Sequence, residues 1–341
     1  MKQPILGVTM GDPAGVGPEI VARAAAEPAV RRDSRPVVIG AAATMHAALT
    51  LVSSPLSVHA VKRVTDCRWA DGTLEVLDLA NVDMQTLPRA AVSAAAGRAA
   101  YDYVERAVAL AQAREIHGIV TAPINKEALA AAGMQHTGHT EILARLSDTA
   151  DFAMLLMGHE LRVIHVTTHV ALRRVPDLVT RERVLKTIRL AQRTMQGLDR
   201  SPARIAVAGL NPHAGEDGLF GDEEKTAIVP AIEAARAEGM TVIGPLPADT
   251  LFSRARGGEF DIVVAMYHDQ GHIPVKTVGF TYDDASKKWT GLSGVNVTVG
   301  LPFLRVSVDH GTAFDRAWKG IANPESMIEA IDVAVRMLAA Q

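Results

Sequence analysis

Asp261-Ile-Val-Val-Ala-Met266, followed by Tyr267-His-Asp-Gln-Gly-His-Ile-Pro-Val-Lys276, decides how this chain is read. Six residues rich in Val and Ile, then a polar run with Gly and Pro, predict a buried strand that stops at a loop. The layout recurs at Val163-Ile-His-Val-Thr-Thr-His169 and at Ile205-Ala-Val-Ala-Gly-Leu-Asn-Pro-His213. In open α/β sheets, ligands bind just beyond the carboxyl ends of strands. Three strand ends that each present a histidine therefore point to a metal.

Working outward, apolar strand-like runs alternate with helical patterns along the whole chain. Strands are expected at 5–10, 36–40, 74–79, 118–123, 152–157, 162–168 and 204–209. Helices are expected from Pro18, over 89–113, 181–195 and 222–238, and at the tail over 324–340. That alternation predicts an α/β fold with a largely parallel sheet. The polar, turn-rich run from Phe280 to Gly294 predicts a hairpin-like excursion. No flexible linker stands out, so two domains would have to share a sheet or exchange strands. The expected division is 1–138 plus 301–341 against 139–300.

A chain of 341 residues, 48% hydrophobic and 21% charged, has the composition of a globular protein large enough for two domains. A net charge of -3 without a Lys/Arg cluster gives no nucleic-acid partner. The single cysteine, Cys67, excludes an intrachain disulfide and a cysteine-rich zinc site. The N-terminus lacks a signal-peptide pattern, and no apolar run approaches the roughly 20 residues that span a bilayer. The expected location is cytoplasmic, with no membrane partner.

Of the 12 histidines, His139, His165, His169, His213, His268, His272 and His310 lie at or beside strand ends. A lone histidine is more often a hydrogen-bonded structural residue. Three at equivalent positions, His169, His213 and His268, make a metal as good a reading, and neutral imidazoles favour zinc, cobalt or nickel over magnesium. His139-Thr140-Glu141 opens a helix, where backbone N–H groups, a hydroxyl and an imidazole can hold a phosphate. The simpler alternative is that Thr140 only caps that helix. Lys276 and Arg305 can pair with a carboxylate or phosphate, or can form surface salt bridges instead. Asn296 shares a strand face with Thr298. Gly11-Asp-Pro-Ala-Gly-Val-Gly17 matches neither G-x-G-x-x-G nor the P-loop spacing. Its simplest role is a tight turn that lets a helix pack on the sheet. Asp309-His-Gly-Thr-Ala-Phe-Asp315 is a turn that could meet the adenosine half of a nucleotide. Cys67 has no activating partner and is given no role.

The motifs Gly11–Pro18, Thr121-Ala-Pro-Ile-Asn-Lys126, Gly138-His-Thr-Glu141, Asn211-Pro-His-Ala-Gly-Glu216, Pro247-Ala-Asp-Thr-Leu-Phe252, Tyr267-His-Asp-Gln-Gly271 and Val308-Asp-His-Gly-Thr-Ala313 together resemble one family. It is the PdxA family, the NAD-dependent 4-hydroxythreonine-4-phosphate dehydrogenases of pyridoxal phosphate synthesis and their paralogues. The resemblance implies a fold like that of isocitrate and isopropylmalate dehydrogenases: two α/β/α domains with a cleft between them. It also implies a homodimer whose active sites are shared between subunits, with most metal and substrate residues and the dimer interface in the second domain. Carried over residue by residue, His169, His213 and His268 hold a divalent metal: zinc first, with cobalt, manganese or magnesium as alternatives. His139, Thr140, Lys276, Asn296 and Arg305 contact a small phosphorylated substrate. Catalytic roles fall to Lys276 and Asp249, and NAD would lie against His310, Gly311, Thr312 and Asp315.

The long loop from Thr281 to Ser293 resembles the paralogous branch, which oxidises 4-phospho-D-threonate or 4-phospho-D-erythronate with loss of carbon dioxide. The alternatives are 4-hydroxythreonine-4-phosphate dehydrogenase itself, a cis-dihydrodiol dicarboxylate dehydrogenase and, in another class, a non-redox phosphotransferase or acyltransferase.

Overall fold

The computed structural model describes residues 3–134, 138–158, 161–279, 281–284, 288–290 and 294–340. They divide into two compact units, residues 1–150 with 301–339 and residues 151–300. The first unit runs through β1 (Ile5–Thr9), α1 (Gly17–Ala26), α2 (Pro28–Asp33), β2 (Arg35–Gly40), α3 (Ala42–Leu51), β3 (Ser57–Val61), β4 (Thr73–Asp78), α4 (Ala94–Gln112), β5 (Gly118–Thr121), α5 (Lys126–Ala131) and α6 (His139–Leu146). The second contains β6 (Ala153–Met157), β7 (Arg162–His165), α7 (Val175–Leu178), α8 (Arg181–Gln196), β8 (Arg204–Ala208), α9 (Val229–Ala237), β9 (Thr241–Leu246), α10 (Ala248–Arg256), β10 (Ile262–Ala265), α11 (His268–Gly279), β11 (Thr281–Asp283), β12 (Lys288–Thr290) and β13 (Val295–Val299). The chain then returns to the first unit as β14 (Leu304–Val308) and α12 (Glu325–Ala339).

In the first unit the strand order is β3-β4-β2-β1-β5-β14, parallel throughout. α4 packs against β1, β2 and β5, and α12 against β5 and β14. In the second unit the order is β13-β6-β7-β10-β8-β9. Here β7, β10, β8 and β9 run parallel, whereas β6 is antiparallel to both its neighbours. Its core joins Leu156, Val163, Ala206 and Val263 of the sheet to Leu251 of α10 and Val275 of α11. The α/β class and the dominance of parallel pairing match the expectation. So does the hairpin, in which Thr281 of β11 faces Thr290 of β12; Phe280, 285–287 and 291–293 of that excursion lie outside the described residues.

Helix starts follow local chemistry. Ser93, Asn125 and Thr180 each accept a backbone N–H three residues on and so cap α4, α5 and α8. α4 and α5 approach so closely that a Cβ on Gly97 would lie 2.0 Å from the Ala128 carbonyl oxygen.

The structure departs from the sequence reading in several places: α3, β3 and α10 go unread, and three further departures have a clear physical reason. Residues 268–279, expected as a loop, form helix α11 with Pro274 inside it. Gly and Pro hid a helical spacing in which Gly271, His272, Val275 and Gly279 are among the buried residues. The helix start is pinned by Gln270, whose Oε1 accepts from Met266 N at 2.6 Å and whose Nε2 donates to Gly209 O at 2.7 Å. Strand β9 goes unread because it contains Gly244-Pro245; it lies at the outer edge of its sheet, where a proline costs no ladder bond. Finally, the units divide at 150/151 and not at 138/139. α6 packs on α4, Arg145 Nη2 donates to the Tyr101 hydroxyl at 2.7 Å, and His139 and Thr140 thus belong to the first unit.

Candidate active site

In the second unit β7 and β10 are parallel neighbours, so their carboxyl ends deliver histidines to the same edge. Beyond the last ladder pair, Val166 N donates to Ala265 O, and Thr167 N and Oγ1 both donate to Met266 O. This ties the two strand extensions together. The rings of His169 and His268 come to 5.7 Å between centroids. Two imidazoles on one tetrahedral zinc, each with Zn–N of about 2.0–2.1 Å, place their centroids about 5 Å apart. The pair therefore fits a shared divalent ion. Asp269 Oδ1 lies 2.6 Å from His268 Nδ1. A carboxylate there favours a proton on Nδ1, which leaves Nε2 as the nitrogen able to bind a metal.

Two further imidazoles extend the group. His272 stacks on His268 at 3.7 Å and 10°, and His165 lies 4.8 Å behind His272. His165 is completely buried, and that burial, followed by the charge His272 can carry, pulls its pKa down to about 3. It is a neutral core histidine, with Nδ1 3.1 Å from the Met154 carbonyl oxygen.

His213 stands apart. It is exposed on a turn beyond β8, beside Phe220. Among the described residues no three His, Cys, Asp or Glu side chains converge on one point. A single chain thus brings together His169 and His268 but not His213. Asp249 on α10 and Asp269 with Tyr267 line a cavity of about 470 Å³ that also meets Phe252, Gln270 and Ile273. Lys276 is half-buried on α11; Asn296 and Thr298 are buried on β13.

The first unit gathers a different set. Arg305 on β14 is 3% exposed, which removes the surface salt-bridge alternative, and its Nη2 donates to Thr121 Oγ1 at 2.7 Å. Burial lowers the guanidinium to about 9, opposed by Glu141. His139 is held well below its usual pKa, first by burial and then by the positive charge of Arg305. Its Nε2 is buried with no hydrogen-bond partner among the described residues. Gly138 occupies the N-cap of α6 with no side-chain hydrogen bond, so Thr140 does not cap that helix. A buried cation, a neutral imidazole and a hydroxyl at a helix start make an arrangement suited to an anion.

The glycine-rich loop before α1 acts as the tight turn expected of it. Gly11 has φ +75°, and a Cβ on Gly17 would lie 2.3 Å from Met10 O. It also carries the 309–315 turn: Val16 N donates to Thr312 O at 3.0 Å, and Trp318 Nε1 donates to Pro13 O at 3.0 Å. Thr312 is buried, His310 half-buried, Gly311 and Asp315 more open to solvent. Cys67 stays inert, its thiol pushed up to about 12 by burial and then by Glu75.

The stretches read from the sequence contain Thr121, Asp269, His272 and Asp12, but sequence reasoning gives none of them a role of its own. Asp269 directly follows a candidate ligand and Thr121 ends a strand, so their positions carried a signal. Asp12, buried beneath the glycine-rich loop, carried none.

A family profile described as "Pyridoxal phosphate biosynthetic protein PdxA" matches residues 32–334. The D-threonate 4-phosphate dehydrogenase of Cupriavidus necator is 49% identical over 329 residues, covering 96% of this chain and 95% of that protein. The 4-hydroxythreonine-4-phosphate dehydrogenase of Desulforapulum autotrophicum is 44% identical, covering 98% and 95%. A crystal structure of 4-hydroxythreonine-4-phosphate dehydrogenase from Klebsiella pneumoniae superposes with a TM-score of 0.87 at 44% identity, covering 99% and 98%.

Proposed function

This chain belongs to the PdxA family, and on that premise we propose that it is an NAD- and metal-dependent dehydrogenase of a 4-phosphorylated four-carbon hydroxy acid, D-threonate 4-phosphate before D-erythronate 4-phosphate. The observation that carries this reading is the buried Nε2 of His139, without a hydrogen-bond partner among the described residues, beside the buried guanidinium of Arg305. Together with Thr140 they hold the phosphate at the far end of the substrate. Lys276 and Asn296 hold the oxygens nearer the carbon that is oxidised, and Asp249 accepts the hydroxyl proton.

His169 and His268 would hold the divalent ion, and His213 of the partner subunit would complete its ligands, which would make a homodimer obligatory for turnover. A divalent ion bound there would supply a lowered pKa for the 3-hydroxyl, and NAD, which His310, Gly311, Thr312 and Asp315 would hold, would supply the hydride acceptor. Oxidation at C3 leaves a keto group β to the carboxylate, so carbon dioxide departs and a phosphorylated three-carbon ketone remains.

The test is to mix protein, NAD and zinc, cobalt or manganese with D-threonate 4-phosphate and follow NADH absorbance and carbon dioxide release. Production of both, lost on chelation and restored by metal, is expected. The 44% relative favours a second reading, 4-hydroxythreonine 4-phosphate as substrate, which wins if its kcat/KM is the higher. Full activity after chelation would sink the metal role.

A further inference from the structure

His272 lies flat against the ring of His268. We propose that His272 is a positioning residue for His268: its ring, one helical turn on, fixes the plane in which His268 offers Nε2 to the metal. The inference rests on the proposed reading of His268 as a metal ligand.

The two rings lie 3.7 Å apart and 10° from parallel, close to full face-to-face contact. Both side chains belong to α11 at positions i and i+4, which share a helix face. His272 is itself held. It is 6% exposed, its Nδ1 lies 3.0 Å from the His268 carbonyl oxygen, and the His165 ring backs it at 4.8 Å. His165 is in turn fixed through Met154 O. Gly271 permits this closeness, because a Cβ there would lie 2.3 Å from His165 Nε2. His268, by contrast, is only half-buried, and Asp269 at its Nδ1 is exposed. One hydrogen bond to an exposed carboxylate leaves the imidazole able to swing about it; a rigid ring against its face removes that freedom. Ligand orientation of this kind is worth about 10- to 100-fold in metal affinity.

The experiment measures cobalt(II) affinity of the full-length protein by competition with a chromophoric chelator, together with the visible absorption of the cobalt-loaded form. His272→Leu keeps roughly the side-chain volume but loses the flat face, and His272→Phe keeps the flat face with a somewhat larger ring. His272→Leu is expected to weaken binding by about 10- to 100-fold and to shift the cobalt bands. His272→Phe should stay close to wild type, and His268→Ala should lose the site. Leu and Phe variants of equal affinity, with His268→Ala impaired, would overturn the positioning role alone. Wild-type affinity in His268→Ala would overturn the ligand reading beneath it. Thermal melts of every variant separate both results from a folding defect.

Discussion

Replacing Asp12 with asparagine should make the protein more stable at neutral and alkaline pH while leaving it nearly unchanged in acid. Asp12 is completely buried where β1 runs into the glycine-rich loop. Its Oδ1 accepts from Ala14 N at 2.8 Å, and its Oδ2 is buried with no hydrogen-bond partner among the described residues. Burial pushes its pKa from 3.8 up to about 6, and the Ala14 N–H only partly opposes this. A carboxyl with a raised folded-state pKa favours folding while it is protonated. That contribution is complete below about pH 4 and is lost as pH rises through 6. The rise corresponds to roughly 3 kcal/mol at full ionisation. In Asp12→Asn the new amide keeps an oxygen for Ala14 N and never acquires charge. The difference in unfolding free energy, variant minus wild type, should thus grow from near zero at about pH 4 to as much as roughly 3 kcal/mol at about pH 8. Denaturant unfolding followed by tryptophan fluorescence reads it, since Trp318 is hydrogen-bonded to Pro13, the next residue. Wild-type and variant curves that stay parallel from about pH 4 to 8 would refute the reasoning.

Arg305→Lys keeps a charge but loses the guanidinium fork that reaches Thr121. It should raise KM for the phosphorylated substrate about 10- to 100-fold, the worth of one charge-assisted hydrogen bond, with a smaller change in kcat; an unchanged KM would remove Arg305 from the phosphate site. His139, kept neutral by burial and Arg305, should show no imidazolium signal by nitrogen NMR in the free protein between about pH 6 and 8, and a titration midpoint near the ordinary histidine value would contradict its placement.

The sequence discloses most strands because their signal is local: Ile5–Thr9 and Arg204–Ala208 are short apolar runs closed within two residues by Gly, and Ile262–Ala265 is an apolar run closed by the polar residues from Tyr267. It conceals α11 because its periodicity is spread across Gly271 and Pro274, residues that usually end helices, and because the anchor that rescues the helix, Gln270 reaching Gly209, is 61 residues away. The site divides along the same line. Residue types beyond strand ends mark His169 and His268 as candidates, whereas Arg305, inside β14, is marked only by its charge in an apolar run. What orients them is tertiary: the stack of His272 on His268, the carboxylate of Asp269, and the burial that keeps His139 neutral. No spacing rule encodes an interplanar angle or the desolvation of an imidazole.

The turn that carries His213 sets local backbone strain against tertiary support. His213 through Asp217 all have left-handed backbone angles, with φ from 42° to 82°, and only Gly215 among them lacks a Cβ. Each of the other four costs about 1–2 kcal/mol relative to right-handed backbone. The surrounding structure enforces the conformation through Glu224, which is 4% exposed. Its carboxylate accepts from Leu210 N at 2.7 Å, Asn211 N at 2.8 Å and Asn211 Nδ2 at 2.9 Å. Lys225 Nζ donates to Asp217 O from the far side of the turn. All of that organisation ends by presenting His213 exposed to solvent, outside any three-donor cluster among the described residues of its own chain. Sustained left-handed backbone is selected against unless it serves a role. An exposed donor serves one if a second copy supplies the other two imidazoles, which is the geometry the proposed shared site requires.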